Sequence, residues 1–346
     1  MTSRERVFAA LEFKPVDVSP LRIFPAQGGL SDHGEKLLAL IRSTGHDFGD
    51  FPGLALPEPP KPGDFDASGR YHAFRTDAWG TTWEHLIPGI WGHPVKWPFA
   101  DWSALETYRC PPPPPASGPE FDALRATWKD LRRTCYHMEW GGSLFEKLHS
   151  IRRFEDVLMD IATDAPEIHR LADLIVENVE GWVARALALG ADAVQFGDDF
   201  GTTTGPILSP VSWRRFFKPR YERLFAPIRA AHKQIFFHIC GRVLWLLDDF
   251  ADLGVNVIWP QLTLYDAREM AMRCRLRRLV VEIHPDRGEL MQHGTPGRVR
   301  ETVLRLLDDF ETLRGGSWLY IEIDPNFPRA NVEALFAVAR ELRAGG

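Results

Sequence analysis

The amino-acid sequence predicts an α/β protein whose strands form a (β/α)8 barrel, and three observations lead to this prediction. From about residue 120 onward, strands of about five to seven residues alternate with longer helices, and Gly190, Gly254 and Gly315 mark helix ends. The count of about eight β/α units favours a barrel over an open doubly wound sheet. No GxGxxG or Walker loop follows a strand, which argues against a nucleotide-binding Rossmann fold.

The first predicted β/α units are less regular than the later ones. Residues 2–13, TSRERVFAALEF, are predicted to form a helix capped by Thr2 or Ser3. The stretch VSPLRIF is predicted to be the first strand, and a glycine-rich loop, PAQGGLSD, follows it. A weak candidate for the second strand lies near residues 46–51.

Residues 52–119 carry much of the proline and tryptophan of the chain, in stretches such as PEPPKPG and GTTWEHLI. We expect an irregular excursion with a hairpin after the second strand, ending in a rigid polyproline spacer at 111–115. A proline ligand for an aromatic-groove partner is the alternative interpretation of that spacer. We expect a single domain over residues 1–346, with this excursion at about 52–119.

The later strands are predicted from apolar stretches that each follow a helix. These strands are TCYHMEW, DAVQFG, KQIFFHI, VNVIWP, LRRLVVEIH and SWLYIEID. The helices are predicted at 120–133, 154–189, 210–231, 243–254, 265–274 and 296–314, and NVEALFAVARELR closes the chain.

Composition narrows the classes of function. A net charge of −6 and an isoelectric point near 6.1 provide no electrostatic footprint for nucleic acid or an anionic membrane. Four cysteines in 346 residues do not make a disulfide framework, so reduced thiols are expected. The charged N-terminus lacks the features of a signal peptide, and no apolar run is long enough for a membrane span. We therefore expect a cytoplasmic protein with a small-molecule ligand.

The active site of such a barrel lies at the C-terminal ends of its strands, and most of the predicted strands end in chemically active residues. In chain order these are Glu139, Asp198, Asp199, His238, Cys240, Gln261, Glu282, His284, Asp286, Glu322 and Asp324. Strand residues two apart share a face, so three pairs point to one rim: His238 with Cys240, Glu282 with His284, and Glu322 with Asp324. This convergence predicts a functional site.

The pair His238 and Cys240 is typical of a soft divalent metal site, since thiolate plus imidazole suits Zn²⁺. A third ligand would come from another strand, and Glu322, Glu282 and His284 are the candidates. A metal there would make a bound thiol nucleophilic near neutral pH.

The same residues also have ordinary structural interpretations. His238 and Cys240 could be a hydrogen-bonded and an apolar core residue. Asp198 and Asp199 could cap a loop and the next helix, and the acidic residues before Pro325 could serve a turn. Cys110, Cys135 and Cys274 are expected to be structural.

Five blocks of the sequence resemble the uroporphyrinogen decarboxylase superfamily and follow the order found there. They are TSRERVFAALEFKPVDVSP, LFEKLHSIRRFEDVLMDI, DDFGTTTGPILSPVSWRRFFKPRY, FFHICGRVLWLLDDFADLGVNVIWPQ and MQHGTPGRVRETV. The resemblance implies a TIM barrel. One branch of the superfamily decarboxylates a tetrapyrrole with eight carboxylates and has an arginine-rich segment after the first strand, where this chain has PAQGGLSD. Eight carboxylates need cationic partners, so that substrate fits poorly.

The other branch contains zinc methyltransferases that act with a corrinoid, and it carries His-x-Cys on the fifth strand. The resemblance implies that His238 and Cys240 bind the metal. The third ligand of that branch is a cysteine near the eighth strand. WLYIEIDPNFP has no cysteine, so either Glu322 takes its place, which is our prediction, or the metal site is altered or lost.

The leading hypothesis is a Zn²⁺-dependent methyltransferase that moves a methyl group between a small methylated compound and a corrinoid or thiol acceptor. Asp198, Asp199, Glu282 and His284 are the predicted catalytic residues, because methyl transfer needs proton control at the reacting atom. The predicted substrate-binding residues are Glu139, Gln261 and Asp324. The corrinoid would be held by a partner protein, and Trp79, Trp83, Trp91 and Trp97 would line the mouth, dock that partner or pack as ordinary loop residues.

Two other hypotheses remain. The chain could decarboxylate a smaller carboxylated substrate without a cofactor, using an acidic residue as proton donor. It could also be a barrel that binds a ligand without catalysis, although the number of ionisable groups at the rim argues against this.

Overall fold

The computed structural model describes residues 1–49 and 54–344, which contain ten strands and thirteen helices. The strands are β1 Leu21–Phe24, β2 Ala73–Thr76, β3 Thr82–His85, β4 His93–Lys96, β5 Met138–Gly142, β6 Ala193–Gly197, β7 Gln234–Ile239, β8 Val257–Pro260, β9 Val280–Ile283 and β10 Ser317–Glu322. The helices are α1 Ser3–Leu11, α2 Gln27–Thr44, α3 Pro119–Leu131, α4 Phe145–Ile151, α5 Phe154–Thr163, α6 Pro166–Leu189, α7 Pro210–Phe216, α8 Lys218–Ala230, α9 Leu247–Leu253, α10 Ala267–Leu276, α11 Glu289–His293, α12 Pro296–Asp309 and α13 Arg329–Ala344.

Seven of the strands form one curled parallel sheet in the order β1-β10-β9-β8-β7-β6-β5. This arrangement confirms the predicted α/β barrel as a TIM-barrel-like fold. The order runs backwards along the chain from β10 to β5 because each strand pairs with the next one after an intervening helix.

The predicted second strand does not form in its described part, and residues 50–51 of that prediction lie outside the described residues. Residues 47–48 form a turn between Gly45 and Gly49, which both have positive φ. Asp47 still links the two edges of the sheet. Its N–H donates to the Leu21 carbonyl, and its carbonyl accepts from the Tyr136 N–H, both at 2.9 Å.

Strand side chains alternate between the interior of the barrel and the helical layer. At the N-terminal end of the interior, Phe48, Tyr136, Phe236 and Trp318 pack together and helix α1 closes this end with Val7. The intervening strand residues pack against the surrounding helices. The lower interior is therefore filled by these apolar side chains.

Strands β2, β3 and β4 form a separate antiparallel sheet, which confirms the hairpin predicted within 52–119. Thr81 at this sheet donates to the Ser150 carbonyl of α4 at 2.9 Å, and Lys147 of α4 lies 4.7 Å from the centre of the Trp79 ring. On the other side, a side chain at Gly28, just after β1, would collide with Ile90. The sheet and its loop at Ile90 thus bridge α4 and the first turn of α2.

No helix in the described ranges is long and apolar enough to cross a lipid bilayer.

Candidate metal centre at the rim of the barrel

Three potential metal ligands converge where β6 and β7 end. One ligand atom each from Asp199, His238 and Cys240 lies within 4.8 Å of the others. The His238 Nε2 atom is 3.5 Å from the Cys240 Sγ and 3.6 Å from the Asp199 Oδ1. Within the described residues, this is the one group of three or more histidine, cysteine or acidic side chains that meets so closely.

A backbone contact orients the His238 ring for this role. His238 and Trp259 are register partners in β7 and β8, and the His238 Nδ1 atom lies 3.2 Å from the Trp259 carbonyl oxygen. A carbonyl can only accept, so Nδ1 carries the proton. In the neutral ring, the lone pair on Nε2 then faces the other two ligands, which is how metal-binding histidines are held.

The loops after β6 and β7 bring Asp199 to the same place. The Cys240 N–H donates to the Asp199 Oδ1 at 2.7 Å. Gly241 has a φ of 81°, and a Cβ there would lie 2.0 Å from the backbone of Gly201. Only glycines allow this close approach of the two loops, which holds the carboxylate beside the thiol.

The electrostatics of the cluster suit a divalent cation. Burial, and next the Asp199 carboxylate, raise the pKa of the Cys240 thiol to about 12, and burial lowers the pKa of His238. Without a cation the thiol therefore stays protonated and the imidazole neutral. A carboxylate, a thiol that can ionise and a lone pair on nitrogen fit the donor set of a catalytic zinc site with one position open.

A cavity of about 280 Å³ adjoins the cluster. Residues lining it include His238, Cys240, Trp259, Gln261, His284 and Arg287. Burial, and next the charge of Arg287, hold the pKa of His284 well below its usual value, so its ring is neutral. Its Nε2 atom is buried and has no hydrogen-bond partner in the described part of the chain.

Of the four predicted catalytic residues, His284 lines this cavity and Asp199 belongs to the adjoining cluster, whereas Glu282 and Asp198 lie away from both. Glu282 is buried within the barrel, where one oxygen accepts from Arg22 at 2.7 Å and the other from the Trp318 Nε1 at 3.0 Å. Asp198 is also buried and accepts the N–H groups of Leu144 and Glu146 at 2.9 and 2.7 Å. Burial raises the pKa of Asp198 to about 7.

Glu139 points outward from the sheet, away from the cluster. It lies 2.7 Å from the His137 Nε2 atom and 3.7 Å from Arg185 of helix α6. Gln261 does line the cavity, and its Oε1 atom accepts the Gly241 N–H at 3.3 Å. The substrate-binding roles predicted for both residues stay predictions.

Glu322 and Asp324 both lie next to Arg287, a residue for which the sequence predicted no role. Arg287 lies 3.2 Å from Glu322 and 3.5 Å from Asp324. Glu322 also accepts from the Tyr320 hydroxyl at 2.9 Å, and burial raises the pKa of both carboxyl groups. The structure therefore brings Asp199, rather than Glu322, together with His238 and Cys240.

Sequence reasoning missed Arg287 and Glu146, which both lie near the cluster. Arg287 follows His284 by three residues in the loop after β9, so its position after a barrel strand was an available signal. Glu146 lies at the start of α4, where no local pattern distinguishes it from other helical glutamates.

The family model described as "Uroporphyrinogen decarboxylase (URO-D)" matches residues 116–342. A uroporphyrinogen decarboxylase of Xanthomonas euvesicatoria pv. vesicatoria is 25% identical, over 92% of this chain and 90% of that protein. Another, from Cellvibrio japonicus, is 27% identical over 61% of this chain, and the match spans 57% of that relative.

Among solved structures, a methyltransferase from Methanosarcina mazei has a similar fold. Its TM-score is 0.67, and the match covers 99% of both chains at 17% sequence identity. This likeness supports the barrel fold, which both chains share over their whole length.

Proposed function

The chain belongs to the uroporphyrinogen decarboxylase family, and we propose that it is a zinc-dependent methyltransferase of that family. In this proposal it moves a methyl group between a small methylated compound, of the methoxy, methylamine or thioether type, and a corrinoid or thiol acceptor. The corrinoid would be carried by a partner protein.

The observation that carries the proposal is the cluster of Asp199, His238 and Cys240 beside the cavity. These three side chains would hold Zn²⁺. When bound, the ion would supply Lewis-acid chemistry and lower the pKa of a thiol or hydroxyl group that reaches its open position. A cavity of about 280 Å³ is just below the usual range of about 300–1,000 Å³ for ligand pockets, which supports a small substrate rather than a tetrapyrrole.

The remaining residues of the cavity would bind and orient the substrate. Trp259 presents an aromatic wall next to His238, with ring centres 4.0 Å apart. His284 is neutral and Arg287 is a cation, so one can accept and the other donate hydrogen bonds to polar groups of the substrate. The raised pKa values of Glu322 and Asp324 would let either carboxyl group exchange a proton with the reacting atom.

The metal is tested first. We expect the purified protein to hold about one zinc ion per chain by elemental analysis, and Cys240→Ala to lose it. Protein that takes up no zinc would make the proposal wrong. The transfer itself is followed by the visible spectrum of cobalamin, which changes between the reduced and the methylated form when a methyl donor is supplied.

A second candidate is decarboxylation of a small carboxylated substrate without a metal. The arrangement of Arg287 with Glu322 and Asp324 favours it, because an arginine can bind a carboxylate and a protonated acid can supply the proton that replaces carbon dioxide. The curated relatives that match the chain are also named decarboxylases. Release of carbon dioxide that persists in Cys240→Ala would favour this candidate over methyl transfer.

A further inference from the structure

The loops after β5 and β6 hold each other through two acidic side chains. The Asp198 carboxylate accepts the N–H groups of Leu144 and Glu146, at the start of helix α4. In return, the Glu146 carboxylate accepts the N–H of Asp199 at 3.3 Å. Each loop therefore supplies a carboxylate to the backbone of the other.

A second contact fixes the Glu146 side chain in this orientation. Its Oε2 atom lies 3.1 Å from the His149 Nε2, one turn further along α4. The His149 ring packs edge-on against Phe145 and Phe154, with ring centres 5.1 and 5.4 Å away. One carboxylate oxygen of Glu146 thus contacts Asp199 and the other contacts His149, which restricts the rotamer of Glu146.

The chain of contacts continues into the metal cluster. Asp199, whose backbone Glu146 holds, accepts the Cys240 N–H at 2.7 Å. The Glu146 charge is also near enough to act on both His238 and Cys240. Glu146 itself is not one of the three clustered ligands, and its hydrogen bond to the cluster is the one with the Asp199 backbone.

We infer that Glu146 is a positioning residue for the metal centre, which holds Asp199 in place by accepting its backbone N–H. The inference rests on the proposed function, since it assigns Glu146 a role toward the ion that Asp199, His238 and Cys240 would hold. Groups that orient metal ligands in this way typically contribute a factor of about 10–100 to metal affinity. Nothing in the local sequence around Glu146 signals this role, because it depends on the packing of α4 against the end of β6.

The test compares two substitutions that separate the hydrogen bond from the charge. Glu146→Ala removes both, whereas Glu146→Gln keeps a carbonyl oxygen that can accept the Asp199 N–H. We expect Glu146→Ala to weaken Zn²⁺ binding by about 10–100-fold, and Glu146→Gln to stay within about threefold of wild type. Affinity is measured by competition with a chromophoric chelator.

A matched control is available on the next helix. Glu155 of α5 is largely exposed and lies 4.0 Å from Arg153, so Glu155→Ala removes the same side chain without touching the cluster. This variant should bind Zn²⁺ like wild type. Wild-type affinity in Glu146→Ala, or an equal loss in Glu146→Gln and Glu146→Ala, would overturn the inference.

A second measurement does not depend on zinc. In metal-free protein, exchange of the Asp199 amide hydrogen should be about fivefold faster in Glu146→Ala, which corresponds to the loss of about 1 kcal/mol for one hydrogen bond. An unchanged exchange rate would overturn the inference. Failure of the wild-type protein to bind Zn²⁺ would instead reject the proposed function, and the exchange rate would still decide whether Glu146 holds Asp199.

Discussion

The barrel interior has ionisable residues at two levels, one at the C-terminal rim and one a step below it. Those of the lower level are buried and paired, whereas those at the rim are partly exposed or lack a partner among the described residues. In the lower level Glu282 and Arg22 are both almost fully buried, and every oxygen of the glutamate has a partner. At the rim, the side chains of His238 and Asp199 are 24% and 38% exposed, and the His284 Nε2 atom lacks a described partner. The comparison shows that depth in the barrel separates a polar group that stabilises the fold from one that is available to a ligand.

The largest expected effect is a loss of stability caused by a substitution in the lower level of the interior. Glu282→Ala leaves the Arg22 guanidinium buried without its carboxylate, although Gln195 still accepts from it at 2.6 Å. Breaking a buried ion pair in this way should lower the free energy of unfolding by about 3–5 kcal/mol, measured by denaturant titration.

The control for this substitution is an exposed pair. Glu333→Ala removes a partner of Arg329, 2.6 Å away on the surface of α13, and should cost less than about 1 kcal/mol. If Glu282→Ala left stability unchanged but weakened ligand binding, the division into two levels would be wrong.

A substitution at the rim should weaken metal binding but leave the stability of the fold nearly unchanged. His238→Ala removes a proposed zinc ligand from a partly open position, so we expect Zn²⁺ affinity to fall by more than about 100-fold with little change in the thermal midpoint. Equilibrium dialysis and thermal scans of metal-free protein measure the two quantities. His293→Ala, on an exposed histidine at the end of α11, should change neither.

A third experiment decides which carboxylate completes the metal site. Asp199→Asn should weaken Zn²⁺ binding by about 10–100-fold, because an amide oxygen is a poorer ligand and carries no charge. Glu322→Gln should change the affinity by only a few-fold, since Glu322 is paired with Arg287. The reverse result would support Glu322 as the third ligand, as the sequence had suggested.

The smallest expected effect concerns the reactivity of the Cys240 thiol in metal-free protein. With a pKa of about 12, alkylation by a neutral reagent should rise about tenfold for each pH unit between 8 and 10, because the thiolate is the nucleophile. Burial is the main cause of the raised pKa and the Asp199 charge the second. Asp199→Asn should therefore speed alkylation only a few-fold, by lowering that pKa.

Mass spectrometry measures how much of the alkylation occurs at Cys240. The variant Cys240→Ala is the reference for labelling at the other cysteines. A rate that levels off near pH 8 or 9 in the wild type would show that the thiol is not buried as described.

Much of the fold could be predicted because its signals are local. The alternation of strands and helices, the glycines after helices and the hairpin in the excursion all follow from short-range periodicity and turn chemistry. The second strand was predicted from a weak pattern, but residues 47–48 form a turn between two glycines with positive φ. There, hydrogen bonds of Asp47 to both sheet edges replace a regular strand.

The candidate site was predictable only in part. The spacing of His238 and Cys240 placed both on one face of a strand, and the structure has their ligand atoms 3.5 Å apart. Asp198 and Asp199 are adjacent in sequence, and no sequence pattern distinguished their roles. In the structure Asp198 lies buried at the start of α4, whereas Asp199 joins the cluster. Glu146 comes from helix α4 and Arg287 from the loop after β9, and the approach of both to the site depends on packing between elements distant in the chain.

The sequence by itself determined the barrel-like fold and the strand ends on which ionisable groups gather, because both depend on the period-two pattern of strands and on chain order. Only the tertiary structure decided which of those groups meet. The stagger of the strands sets Glu282 one level below the rim, and the close approach of Gly201 and Gly241 brings Asp199 to Cys240. Stagger and loop packing arise from contacts across the whole sheet, and no short stretch of sequence records them.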